Sequence, residues 1–241
     1  MGWKSRALAF VDMHANPAAM TMPDIRILSR VLPFAAYMLF LAIEGGIGML
    51  LPDFDPRILY PVKVGAVALL LWFYRAQYVE LFVRPDIRWV GLISPAVGAL
   101  VFVLWINLDG DWLDMGGGTG FSPIDDAGGI RWELALPRLF GAALVVPVME
   151  ELFWRSFLLR WIDRHDFLAM EPARLTLRAI LIASVLFGLE HTLWFAGIIA
   201  GLAYAWLYRA SGTLWAPIMA HAVTNLMLGV WVLQTGSWNF W

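Results

Sequence analysis

The stretch at residues 146–159, VPVMEELFWRSFLL, decides how the chain reads, because two glutamates and an arginine sit inside a run apolar enough to belong in a membrane. A charged side chain at mid-bilayer depth costs about 2.5 to 3.5 kcal/mol on insertion scales, so Glu150, Glu151 and Arg155 need partners or a watered cavity. The composition agrees with a membrane setting. Hydrophobic residues make up 61% of the 241 and charged residues 15%, with a mean hydropathy of +0.69, more than a soluble core of this length requires. Repeated apolar runs with short polar joints predict an all-α, polytopic transmembrane bundle of about seven helices, with a polar cavity in its C-terminal half. A net charge of −2 gives no reason to expect nucleic acid, and the absence of cysteine excludes disulfides, thiolate metal sites and a cysteine nucleophile.

Working outward, the expected spans are 31–51, 59–74, 89–108, 134–160, 179–190, 193–208 and 214–233. Residues 1–30 carry Lys4, Arg6, Arg26 and Arg30 and read as a basic interfacial arm without a cleavable signal. Residues 31–130 hold the first spans and an acidic, glycine-rich loop, and 131–241 form the helical core of one integral unit. Glu44 is expected at the interface, and Lys63 is placed to snorkel. GGGTG at 116–120 lacks a following Lys-Ser/Thr or a preceding strand, so it reads as exposed loop rather than a phosphate cradle. The arm, the joints at 75–88 and 160–178, and Arg209 are basic, whereas the loops at 52–57 and 109–129 are acidic. The positive-inside rule then places the amino terminus and the basic joints in the cytoplasm and the carboxy terminus outside a membrane expected to be the bacterial inner membrane.

Glu151 and Arg155 are four residues apart and share a helical face, so the arginine can neutralise and orient that glutamate. Glu150 is rotated about 100° away and faces something else. The three charges read either as a packing ion-pair network or as part of a site, and the histidines bear on the choice. Of four histidines, His14 and His165 fall in polar joints, while His191 and His221 fall in apolar segments. Buried ionisable groups face inward and seek one another. His221 and Asn225, again four apart, present an imidazole and a carboxamide on one face, and both can donate hydrogen bonds. The segment 179–190 is too short for a full crossing, so its turn is expected inside the protein, bringing the polar groups into one cavity below the cytoplasmic face. That inventory suits hydrolysis, with a general base for water and donors for an oxyanion. It also suits zinc held by Glu150, His191 and His221, although HExxH is absent and the spacing is not diagnostic.

EELFWR at 150–155 resembles the EExxxR motif of the CAAX-processing and bacteriocin-related intramembrane proteases, the Abi or Rce1-like group. FGLEH at 187–191 is similar to that family's FxxxH motif and HAVTN at 221–225 to its HxxxN motif, in the family's order. The resemblance implies a glutamate-dependent membrane endopeptidase without an obligatory cofactor. Glu150 would be the base and His191 its partner on the water. His221 and Asn225 would be the oxyanion donors, Glu151 and Arg155 supports, and Phe187 a packing or substrate-facing residue. The implied partners are a peptide or membrane-protein substrate and membrane lipid; the prenyl-protein substrate of eukaryotic members does not carry over. A catalytically silent membrane factor of the same fold, with an immunity or assembly role, is the alternative. A proton-relay transporter is a third reading, and the span at 89–108, with only Asn107 near one end, speaks against it. GIIAG at 197–201 fits a small-xxx-small contact that packing within one chain explains as readily as self-association, so the oligomeric state stays open.

Overall fold

A computed structural model describes residues 24–51, 53–110, 112–113, 115–116 and 120–241. The basic arm expected over 1–30 lies outside the described residues as far as residue 23, and so do residues 117–119 of the glycine loop. The described residues are all-helical, with seven helices: α1 Ile25–Leu50, α2 Leu59–Phe73, α3 Trp89–Trp105, α4 Trp132–Asp163, α5 Leu177–Leu189, α6 Trp194–Ser211 and α7 Trp215–Thr235. Four stretches, in α1, in α2 with the turn that leads into it from Pro56, in α4 and in α7, are long and apolar enough to cross a membrane, while α3 and α5 are shorter apolar helices. Large apolar side chains point away from the bundle, Leu39 at 61%, Leu69 at 70% and Leu92 at 71% exposure. Lipid, not water, is the solvent for which such a surface is suited.

Local sequence fixes the helix ends. The Asp24 side chain accepts the Arg26 N–H at 2.9 Å to start α1, and Thr176 accepts that of Ala179 at 3.1 Å to start α5, so each cap satisfies an orphan donor. α6 ends on Gly212, whose φ of 71° is left-handed and suits glycine. Prolines shape the interiors. Pro95 in α3 and Pro147 in α4 each follow a π turn, Trp89–Ile93 and Gly141–Val145. A proline has no N–H for the preceding carbonyls and crowds them, and a widened turn relieves that clash. α4 widens again at Leu152–Leu158, so Glu150 and Glu151 sit on a short α-helical stretch, Val146–Glu151, between two π turns.

α5 and α6 form a tight hairpin in which Gly201 lies against Ser184 and Gly197 against Gly188, so the small-residue stripe is used within the chain. Gly98 lets α3 lie against the Ala220 carbonyl of α7. Two buried ion pairs differ from what the sequence suggests. Lys63 does not snorkel: its side chain is fully buried and its Nζ lies 2.9 Å from Glu44. The short α1–α2 joint brings the two to one level, and pairing offsets the cost of burying either charge. Arg30, counted with the arm in the sequence, lies within α1 and pairs with Glu80 at 2.6 Å, and Ser156 joins the same carboxylate from α4.

Candidate active site

A cavity of about 380 Å³ opens among all seven helices, and Glu150, Phe187, His191, His221 and Asn225 all line it. Glu150 is 5% exposed, and its Oε2 has no hydrogen-bond partner among the described residues. That oxygen lies 4.0 Å from His221 Nε2, too far for a hydrogen bond. Glu151 is turned away from the cavity into the bundle. Its Oε1 lies 3.1 Å from Arg155 Nη1 and 3.0 Å from His221 Nδ1. A carboxylate only accepts, so Nδ1 of His221 carries the proton of that bond, and Nε2 is the nitrogen left for the cavity. The Arg155 guanidinium is held over Phe187 at 4.3 Å and Tyr204 at 5.3 Å, and the Tyr204 ring stacks on His221 at 5.1 Å.

His191 is fixed by its own turn. Its Nδ1 meets the Phe187 carbonyl at 2.8 Å. Since a carbonyl accepts only, Nδ1–H is the donor and Nε2 is the free lone pair of the neutral ring. The Phe187 and His191 of FxxxH are therefore joined through backbone and ring, four residues apart. Asn225 donates Nδ2–H to the Ala142 carbonyl at 2.8 Å. In the π turn Val146 N–H reaches back to the Gly141 carbonyl; continuing that register, the Ala142 carbonyl would look to Pro147, which has no N–H. Asn225 fills this vacancy and keeps one N–H.

The lining also contains residues that the sequence reading passed over. Glu190 faces the cavity and accepts Trp154 Nε1–H at 3.0 Å; its signal was a carboxylate immediately before the motif histidine. Thr224 receives the Tyr204 hydroxyl at 2.8 Å and bonds the Gly98 carbonyl at 2.8 Å, fastening α3, α6 and α7 behind His221. Arg138 is a charge within the apolar run of 134–160 and lines the same cavity. Among the described residues no three His, Asp or Glu side chains are grouped so as to hold a metal ion.

The cavity does not lie on the side the sequence suggests. From the level of Glu150 its walls run through Ala142 and Arg138 on α4, Leu41 on α1, Tyr60 on α2, Trp105 on α3 and Leu228 on α7, and reach Gly120, Asn239 and Trp241. These last residues belong to the acidic loop and the tail after α7, and none of the lining comes from the basic joints. α4 enters from the acidic loop, so the residues that lead up to Glu150 necessarily line the approach from that face. On the same face, Asp55 accepts from Arg57 Nε at 2.8 Å and lies 3.1 Å from Arg131. Hydrogen bonds from Arg57 hold this carboxyl below the usual carboxylate range. Arg57 in turn donates to the Ser122 and Ile124 carbonyls at 2.9 and 3.0 Å, holding the loop beside the opening.

Helices of this length and apolarity around an enclosed glutamate, histidine and asparagine cluster define a polytopic membrane protein with a buried polar site. Residues 132–227 match the family model described as Type II CAAX prenyl endopeptidase Rce1-like. The matched segment runs from the start of α4 into α7 and contains all seven motif residues, so this part of the chain is similar to a CAAX-protease-type membrane peptidase. No curated protein and no solved structure matches the chain.

Proposed function

We propose that the chain is an intramembrane endopeptidase in which Glu150 activates water. The observation that carries this reading is the unpartnered Glu150 Oε2 in a cavity shared with His191, His221 and Asn225. Glu150 takes a proton from the water while the Nε2 lone pair of His191 accepts its other hydrogen, and the oxygen attacks the peptide carbonyl. The oxyanion that forms is met by the remaining Asn225 N–H and by a His221 Nε2–H, present when the ring carries both protons and its Nδ1–H stays hydrogen-bonded to the Glu151 carboxylate. Glu150 then passes its proton to the leaving amine, and the carboxylate is restored. Arg155 balances Glu151 throughout, and Phe187 supports both Arg155 and His191.

Reconstituted protein carrying Glu150→Gln, His191→Ala or His221→Ala loses at least about 100-fold of its cleavage rate on a peptide that the parent cuts, with its helical content kept. Parent-like cleavage by any of the three removes that residue's role. A cellular phenotype that survives Glu150→Gln favours a non-catalytic member of the fold. By the positive-inside rule the basic joints face the cytoplasm, so the cavity takes its substrate from the opposite face.

A further inference from the structure

At the far end of the cavity from Glu150 stands a cation without a counter-ion among the described residues. Arg57 and Arg131 pair with Asp55, and Lys63 pairs with Glu44. Arg138 has no acidic partner among the described residues, and its Nε is shielded from solvent without an acceptor. Its guanidinium lies against two neighbouring rings, 4.5 Å from the centre of Tyr60 and 5.2 Å from that of Phe121. Tyr60 also takes the Lys63 ammonium at 4.9 Å. Rings fix the plane of a guanidinium and leave its edge, which matches the two oxygens of a carboxylate. A donor buried without an acceptor is costly, and a ligand that supplies one recovers that cost.

We infer that Arg138 is the binding residue for a carboxylate carried by the peptide substrate. The identity of the ligand as a peptide rests on the peptidase reading; the anion site itself does not. Along α4 the interval from 138 to 150 corresponds to about 18 Å at ~1.5 Å per residue. An extended peptide rises ~3.3–3.6 Å per residue, and the arginine side chain shortens the path, so the carboxylate falls about three to five residues from the cleaved bond. It is either an acidic side chain or a chain-terminal carboxylate, and Tyr37, Tyr60 and Trp241 offer aromatic wall to the residues beside it.

The test uses the full chain with Glu150→Gln, so binding is read without cleavage. Three fluorescein-labelled apolar hexapeptides are titrated by anisotropy: one with a free C-terminal carboxylate, one amidated and neutral, and one amidated with a single internal Asp. At least one acidic form binds about tenfold or more tighter than the neutral one, and the stronger of the two identifies the source of the carboxylate. Adding Arg138→Gln removes the difference, and Arg138→Lys keeps part of it. Arg138→Gln melts at or above its parent, because it removes an unpaired charge, whereas a residue holding the fold would lower the melting temperature. Equal binding of acidic and neutral peptides, or discrimination that survives Arg138→Gln, overturns the assignment. Displacement of every peptide by phosphatidylglycerol micelles in the parent but not in Arg138→Gln would give the site to a lipid phosphate and overturn it too. If discrimination holds while the parent cleaves no peptide, the peptidase reading fails and the anion site stands. If the parent and Arg138→Gln cleave acidic and neutral peptides alike, the reverse is true.

Discussion

Glu150 and Glu151 are adjacent, carry the same charge and are both buried, yet they have opposite surroundings. Glu151 sits between Arg155 and His221, while Glu150 Oε2 has no hydrogen bond among the described residues. Removing one member of a buried pair strands the other and costs about 3 to 5 kcal/mol, whereas removing a charge that has no pair costs little. Glu151→Gln therefore lowers the thermal midpoint in detergent, and Glu150→Gln leaves it at or above that of the parent. A fall of equal size in both would show that Glu150 is also a packing charge, and the catalytic assignment would lose its main support. The spacing of four between Glu151 and Arg155 was legible in the sequence because helical geometry alone makes those two neighbours. The third member, His221, was not, because the 3.0 Å contact crosses from α4 to α7 and no local period encodes it.

At the scale of the element, α4 is the helix on which the site depends. Its two π turns bracket the glutamates, and the first leaves the Ala142 carbonyl without a backbone donor because Pro147 has none to give. Asn225 supplies that donor across the α4–α7 contact. Asn225→Ala consequently leaves a buried carbonyl unmet and costs about 1 to 3 kcal/mol in the Pro147 background. In Pro147→Ala, where an N–H is restored, the same substitution costs measurably less. Urea or thermal melts of the four proteins of this double-mutant cycle give the coupling directly, and strictly additive effects would refute the link. The sequence announced Pro147 but not the turn before it. Whether a proline kinks, breaks or widens a helix depends on which neighbour can satisfy the freed carbonyls.

Over the whole molecule, the cavity lining runs from the level of Glu150 to the face that carries the acidic loop, and none of it comes from the basic joints. The proposed orientation rests on which face is basic. Since the chain has no cysteine, single introduced thiols report cleanly. In sealed right-side-out vesicles a membrane-impermeant maleimide labels Asn239→Cys, at the cavity mouth, and leaves Arg174→Cys, on the 76% exposed Arg174 side chain, unlabelled until the membrane is opened. The converse pattern would put the opening in the cytoplasm. The expectation of a cavity below the basic face failed for a definite reason. Depth counted inward from Arg160 and Thr213 gives the level of a residue in the membrane, but it carries no information on which way an enclosed space continues.

The sequence by itself determined the membrane bundle, the number of helices, the identity of the motif residues and the Glu151–Arg155 pair. Apolar run length, charge and the 3.6-residue repeat are local quantities written along the chain. Only the tertiary structure decided that Lys63 meets Glu44, that Asn225 serves the carbonyl beside Pro147, that Glu190 and Arg138 share the cavity with Glu150, and toward which face that cavity runs. Each of these depends on two helices being brought to the same height and the same angle. In a low-dielectric interior the free energy of a buried polar group is set by whatever lies across from it, not by its neighbours in sequence.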